Sequence, residues 1–362
     1  MKRLLWLFEK IAPSFNEGGK LAVLKPLFEA MENFFFAPVT TTVAAPYARD
    51  PLDIKRFMSM VIIALLPCLL ASLYFFGLRL VAMIVVSYAA GGAVEVVFAI
   101  VRKESINEGF LVTGMLFPLI LPPALPLWMV AVGVAFGVFV GKELFGGTGR
   151  NVFNPALVGR CFLALAYPVA MSGNWIKPGY ELAGRLLQYV DASDIDAVSS
   201  ATPLVLAKQS NLVALPDMFL GSVAGSIGET SAIAIIFGGV FLLFTRVASW
   251  RTVASILGSA ALFAGILHYL QPEKFAPALW LLCAGGMLFG VFFMATDPVT
   301  CPVTNSGKWA YGVIIGVVTL LIRNFTGYVE GVMFAILLGN IVAPILDEIA
   351  FKVRFRRLRS EG

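Results

Sequence analysis

Ten runs of roughly twenty apolar residues, with few charges inside any of them, decide the solvent this chain is built for. They lie at approximately 57–76, 80–101, 108–125, 127–142, 152–170, 230–245, 252–270, 277–295, 309–323 and 330–350. A bilayer core offers a backbone amide no water, so its bonds must close within a helix or around a barrel. Runs of this length suit helices, and the ten-residue alternating strands of a barrel are absent from the sequence. A surface made from 14% charged residues in a chain that is 59% hydrophobic cannot coat a soluble globule of 362 residues. The pattern predicts an all-α polytopic membrane protein with about ten transmembrane helices.

The runs fall into two groups of five, and the groups share short matches. Gly114-Met-Leu-Phe117 recurs as Gly286-Met-Leu-Phe289, and Arg150-Asn151 recurs as Arg323-Asn324, at offsets of 172 and 173 residues. An odd number of spans per repeat inverts the second copy, so the expectation is two inverted five-helix repeats with broken helices, as in many transporters. The predicted layout is an N-terminal amphipathic segment, 1–56, a first repeat, 57–170, a connector, 171–229, a second repeat, 230–350, and a basic tail, 351–362. No cleavable signal peptide is evident ahead of Phe57.

Basic residues orient the chain. Lys2, Arg3, Lys10, Lys20, Lys25, Arg49, Lys55 and Arg56 precede the first run, and Lys352, Arg354, Arg356, Arg357 and Arg359 follow the last. Both termini are therefore expected on the cytoplasmic side, with Arg102, Lys142, Arg150, Arg246 and Arg251 in inner loops. The connector, which carries Glu181, Asp191, Asp194, Asp196 and Asp217, falls on the opposite face.

Metal chemistry has few ligands here. Cys68, Cys161, Cys283 and Cys301 form no C-x-x-C pair, and the single His268 cannot supply paired haem axial ligands. Any redox group is expected to be organic, save for a cysteine donating to a metal shared with a partner protein. Nothing in the sequence points to nucleic acid, and no nicotinamide-binding fingerprint is present, so NADH chemistry would belong to a partner.

Four features carry the candidate chemistry. The first is the polar island Asp196-Ala-Val-Ser-Ser-Ala-Thr-Pro203, in which Thr202-Pro203 reads equally as a helix N-cap and as a hydroxyl to which a cofactor is attached. A phosphate on a helix-initiating threonine sits among unpaired N–H groups, so the two readings are compatible. The second is the pair of interrupted runs: Pro118, Pro122, Pro123 and Pro126 in the third, and Gly285, Gly286, Gly290 and Ala295-Thr-Asp-Pro298 in the eighth. Matched breaks in two repeats expose helix ends to a central pathway, although ordinary kinks give the same pattern. The third is a set of carboxylates within or against apolar runs, Glu95, Glu143, Asp297, Glu330 and Asp347, with Glu143 and Asp297 beside glycine- or proline-rich breaks. Carboxylates suit a hard cation or a proton relay. The fourth is Gly146-Gly-Thr-Gly-Arg-Asn-Val-Phe-Asn-Pro155, a tight turn or a ligand loop whose Asn151 and Asn154 can bond the edge of a flavin or quinone ring.

Several stretches resemble a known family. Phe15-Asn-Glu-Gly-Gly-Lys20, Arg49-Asp-Pro-Leu-Asp-Ile-Lys-Arg56, Ile106-Asn-Glu-Gly-Phe110, Gly141-Lys-Glu-Leu-Phe-Gly-Gly-Thr-Gly-Arg-Asn151 with Asn154-Pro-Ala-Leu157, Ala295-Thr-Asp-Pro298 and Gly307-Lys-Trp309 are similar to NqrB, a membrane component of the bacterial Na⁺-translocating NADH:quinone reductases. The likeness runs nearly end to end. The Glu-Gly-Gly-Lys region favours NqrB over its relative RnfD, a component of the Rnf-type ferredoxin:NAD reductases.

The resemblance implies FMN phosphoester-linked to Thr202, within a motif matched by Asp196, Ser199, Ser200, Ala201 and Thr202. Ser200 stands where glycine is commoner, and the connector is shorter than the family's usual one. It further implies non-covalent riboflavin, a share in a ubiquinone site, Na⁺ as the transported ion, five other subunits, a flavin transferase for maturation, and the bacterial inner membrane. Glu29, Glu143, Asp297 and Asp347 resemble positions assigned to ion handling, and the turn around Gly141 resembles a region associated with quinone or inhibitor binding. A channel or carrier with no redox role is the alternative from a different class.

Overall fold

A computed structural model describes residues 54–103, 106, 109–172, 175, 201–209, 211–328 and 331–361, together with 10–13, 15, 25, 26, 28 and 32. Among these residues every regular element is helical. The first group comprises α1 (Ile54–Phe76), α2 (Leu78–Arg102), α3 (Gly109–Leu119), α4 (Leu127–Gly141) and α5 (Pro155–Ala166). Three short helices follow, α6 (Pro168–Ser172), α7 (Pro203–Lys208) and α8 (Leu215–Leu220). The second group comprises α9 (Ala232–Phe244), α10 (Trp250–Leu270), α11 (Ala278–Cys283), α12 (Met287–Phe289), α13 (Asn305–Phe325) and α14 (Gly331–Glu361).

Six of these helices are long and apolar enough to cross a bilayer: α1, α2, α4, α10, α13 and α14. The third and eighth runs do not form single continuous spans. After α3 the chain turns through Ile120–Leu125, where Pro122, Pro123 and Pro126 remove the amides a helix needs. The eighth run breaks at Gly285, whose φ of 58° is costly for any residue with a Cβ, then resumes as α12 and a π-helical turn, Gly290–Met294. The fifth run is shorter than its hydropathy suggests, because Tyr167 ends α5 and Pro168 starts α6.

The packing order recurs in the two groups. In the first, α2 packs on α4, α4 on α5 and α1 on α3; in the second, α10 packs on α13, α13 on α14, and α9 on α12. Across the groups, α1 meets α9 and α5 meets α14. Small residues allow these helices to touch. A methyl on Gly159 of α5 would lie 2.8 Å from the Phe117 ring and against the Gly133 carbonyl of α4. Gly312 and Gly316 of α13 accept Ser255 and Ser259 of α10, and the Ser255 hydroxyl donates to the Trp309 carbonyl at 2.5 Å. In lipid such close backbone approach replaces the hydrophobic drive that water supplies.

Candidate functional site

Thr202 closes the N-terminus of α7. Its backbone is extended, Pro203 occupies the first helical position, and its Oγ1 accepts from the Val205 N–H at 3.4 Å. The helix-cap reading is thus realised, with the hydroxyl on the wall of a cavity. Three contacts seat this segment on the second group. Leu204 fills the space left by Gly285, where a Cβ would come within 2.8 Å of it; Lys208 Nζ donates to the Thr326 carbonyl at 2.8 Å; Trp280 Nε1 donates to the Val213 carbonyl at 2.9 Å.

The cavity beside Thr202 has a volume of about 370 Å³. Met171, Trp175, Met333, Phe334 and Tyr328 give it apolar and aromatic walls, and Ser226 and Glu229 supply polar groups. That size and lining fall in the range of small-molecule sites, which are mostly apolar with a few placed polar atoms. A tricyclic aromatic ring tethered at Thr202 fits this donor set.

Glu229 belongs to a 3₁₀ turn, Ile227–Glu229, that re-enters between the groups. The Ile227 N–H donates to the Leu121 carbonyl at 3.1 Å, and the Ser72 hydroxyl donates to the Ile227 carbonyl at 2.8 Å. Arg160 of α5 reaches across: its guanidinium donates to Glu229 Oε1 at 3.0 Å and to Ser226 Oγ at 3.1 Å. Both side chains are under a tenth exposed, at 4% and 7%. Charges withdrawn from solvent to this degree persist only when paired.

A second polar centre lies on the loop that joins α4 to α5. Gly146, Gly147 and Gly149 all have positive φ, which folds residues 143–154 tightly over α5. Asn151 clamps that loop, accepting from the Gly149 N–H at 3.3 Å and donating to the Phe153 carbonyl at 3.0 Å. Asn154 caps α5 by accepting from the Ala156 N–H at 3.0 Å. Both asparagines also line a space of about 60 Å³ together with Thr113, Lys142, Thr148, Thr296 and Asp297. Asp297 accepts from the Thr300 hydroxyl at 2.8 Å; loss of hydration pushes its carboxyl above the ordinary range, and the Thr300 bonds pull it back.

Glu143 is not an isolated ion ligand. Its Oε2 accepts from Arg102 at 2.7 Å, and its Oε1 lies 4.0 Å from Lys142 Nζ, which is bonded at 2.6 Å to Glu95. Two acids and two bases form a buried, electrically balanced cluster. Asp347 serves another helix: its carboxylate accepts from the Val303 and Thr304 N–H groups and the Thr304 hydroxyl, fixing the loop into α13. Gly141 ends α4 rather than lying in a turn, and packs 3.0 Å, by its missing Cβ, from Pro155. Asp196, Ser199, Ser200, Glu29 and Glu330 lie outside the described residues.

The structure therefore joins Asn151, Asn154 and Asp297 at one cavity and sets Thr202 at another. Sequence reasoning missed Arg160, Glu229, Ser226 and Lys142. The available signal was an ionisable residue inside or beside an apolar stretch, Arg160 in the fifth run and Glu229 at the lip of the sixth.

The profile of the NQR2, RnfD, RnfE family matches residues 41–356. The chain belongs to this family. Among relatives, the NqrB protein of the Na(+)-translocating NADH-quinone reductase from Klebsiella pneumoniae (strain 342) is 39% identical, over 98% of this chain and 99% of its own. The protein of the same name from Azotobacter vinelandii (strain DJ / ATCC BAA-1303) is 37% identical over 96% and 97%. That of Pseudomonas aeruginosa (strain LESB58) is 36% identical over 97% of each. Within the family the resemblance noted from short motifs thus extends over essentially the whole chain.

Proposed function

We propose that this protein is the membrane subunit of a sodium-pumping NADH:quinone oxidoreductase, carrying FMN on Thr202 and passing electrons toward quinone while Na⁺ moves outward. The observation that carries this reading is the place of Thr202: a capping hydroxyl on the wall of a 370 Å³ aromatic-lined cavity, in a chain collinear with components of Na(+)-translocating NADH-quinone reductases. The flavin, when bound, supplies one- and two-electron chemistry. The chain's own residues do the rest. Thr202 anchors the phosphate, Trp175, Phe334 and Tyr328 wall the cavity, and Glu229 and Ser226 present polar atoms at its floor. At the other cavity Asn151 and Asn154 present amide groups to a riboflavin or quinone edge, and Asp297 supplies oxygens suited to a hard cation.

The recurring order of packing in the two groups supports ten spans in two inverted repeats, with 57–170 and 230–350 as the repeats and 171–229 as an outer connector. Basic residues at both ends support cytoplasmic termini in an inner membrane. Five further subunits, ubiquinone and a flavin transferase complete the proposal, with NADH oxidised on a partner. The test is direct. Denatured, acid-precipitated protein from its native host should fluoresce under ultraviolet light, the peptide holding Thr202 should carry the mass of FMN, and Thr202→Ala should be dark. Fluorescence retained in that variant refutes the anchor. Ferredoxin-dependent rather than NADH-dependent activity of the purified complex would assign it to the Rnf-type branch, and flavin-free protein with solute flux would make it a carrier.

A further inference from the structure

The Arg160–Glu229 pair lies where two separate voids come closest. On one side is the Thr202 cavity, with Glu229 and Ser226 on its floor. On the other is a void of about 20 Å³ lined by Arg160, Glu229, Arg323, Gly286, Gly290 and Met294. Glu229 therefore faces both. Gly286 makes this possible, because a Cβ there would lie 2.6 Å from the Glu229 carboxyl carbon. Gly290 and Met294 bound the π-helical turn, and the same turn presents Phe292 and Phe293, followed by Thr296 and Asp297, to the lower cavity. A π turn offsets side chains from the ordinary helical register and is frequent at functional sites.

Resting on the function proposed above, we infer that the Arg160–Glu229 ion pair is the gate of the ion path, and that Glu229 is the carboxylate on which a transported cation replaces the Arg160 guanidinium. The pair bridges the two groups of helices, Arg160 from α5 and Glu229 from the turn that leads into α9, so relative movement of the groups makes or breaks it. Closed, it places a fixed positive charge across the constriction between the cavities and bars cations. Open, it leaves a buried carboxylate whose charge demands a new partner, and Na⁺ is a hard cation suited to carboxylate and carbonyl oxygens. No covalent step is involved.

The experiment uses the purified complex reconstituted in vesicles. Glu229→Gln is expected to raise the Na⁺ concentration for half-maximal quinone reduction at least about tenfold, a loss of roughly 1.4 kcal/mol in affinity. NADH oxidation with an artificial acceptor and the in-gel fluorescence of the Thr202 peptide should stay at wild-type level. Arg160→Gln, with Glu229 intact, is expected to increase passive ²²Na⁺ efflux severalfold in the absence of NADH, and Arg160→Lys should restore tightness. Wild-type Na⁺ dependence in Glu229→Gln, or vesicles of Arg160→Gln as tight as wild type, overturns the gate. Should Arg160→Gln fail to assemble, Glu229→Gln and Arg160→Lys decide it through the shift in Na⁺ dependence alone. A wild-type complex whose quinone reduction ignores Na⁺ would instead defeat the sodium-pump reading, and the passive-efflux arm, read with H⁺ as well as Na⁺, then judges the gate by itself.

Discussion

Gly159→Ala is the sharpest test of how α4 and α5 are held together. The added methyl would press on the Gly133 carbonyl and approach the Phe117 ring to 2.8 Å, where ordinary contact begins near 3.4 Å. One obstacle is backbone, which cannot rotate aside, so α5 must move away from α4 by several tenths of an ångström. Overpacking of this kind costs about 1–3 kcal/mol, and a rigid obstacle belongs at the upper end. Replacing a helical glycine returns about 0.5–1 kcal/mol of backbone entropy. The net expectation is a loss of about 2 kcal/mol, or a fall of about 4 °C in the melting midpoint for a chain this large. Gly258 of α10 is the control, since a Cβ there meets nothing within 4 Å, and Gly258→Ala should leave the midpoint unchanged or slightly raised. Both variants can be followed by thermal melting of the detergent-solubilised protein on a size-exclusion column. A Gly159→Ala midpoint equal to that of Gly258→Ala would show that the helix contact is not as tight as the geometry states.

Two further outcomes follow from buried partners. Glu95→Gln strips Lys142 of its 2.6 Å partner and leaves an ammonium that is 4% exposed, with Glu143 still 4.0 Å away; the expected loss is about 3 kcal/mol. Glu95→Gln combined with Lys142→Met should recover much of it, and strictly additive losses in a double-mutant melting cycle would deny the pairing. Thr304→Ala removes an N-cap whose Oγ1 accepts from the Gly307 N–H at 3.1 Å, and should cost about 1 kcal/mol, with Thr304→Ser close to wild type. Equal melting of the alanine and serine variants would place the effect elsewhere.

What the sequence disclosed was local. Apolar length located the helices, prolines 122, 123 and 126 announced the turn after α3, and Thr202-Pro203 announced the start of α7, because these depend on a residue and its near neighbours. The Gly285 break was foreseen as an interruption, but not as a socket for Leu204, which comes from 81 residues earlier in the chain. Long-range partners were invisible for the same reason. Glu143 looked like a lone carboxylate until Arg102 was found against it, and Asp347 looked like an ion ligand until it was found holding the start of α13. Arg160 and Glu229 are 69 positions apart, and only the re-entrant turn between α8 and α9 brings them together. Gly141 was placed in a turn because glycines follow it, whereas the absence of its side chain serves the approach of α5.

The mounting of α7 gives the molecule a built-in gauge. Leu204, Lys208 and the residues around Val213 bind that segment to the second bundle, while Arg160 travels with the first. Any rocking of one bundle against the other is thereby rendered as a change in spacing between residue 202 and residue 160, so a pair of probes at those two sites would register the turnover of the machine as a ruler registers length.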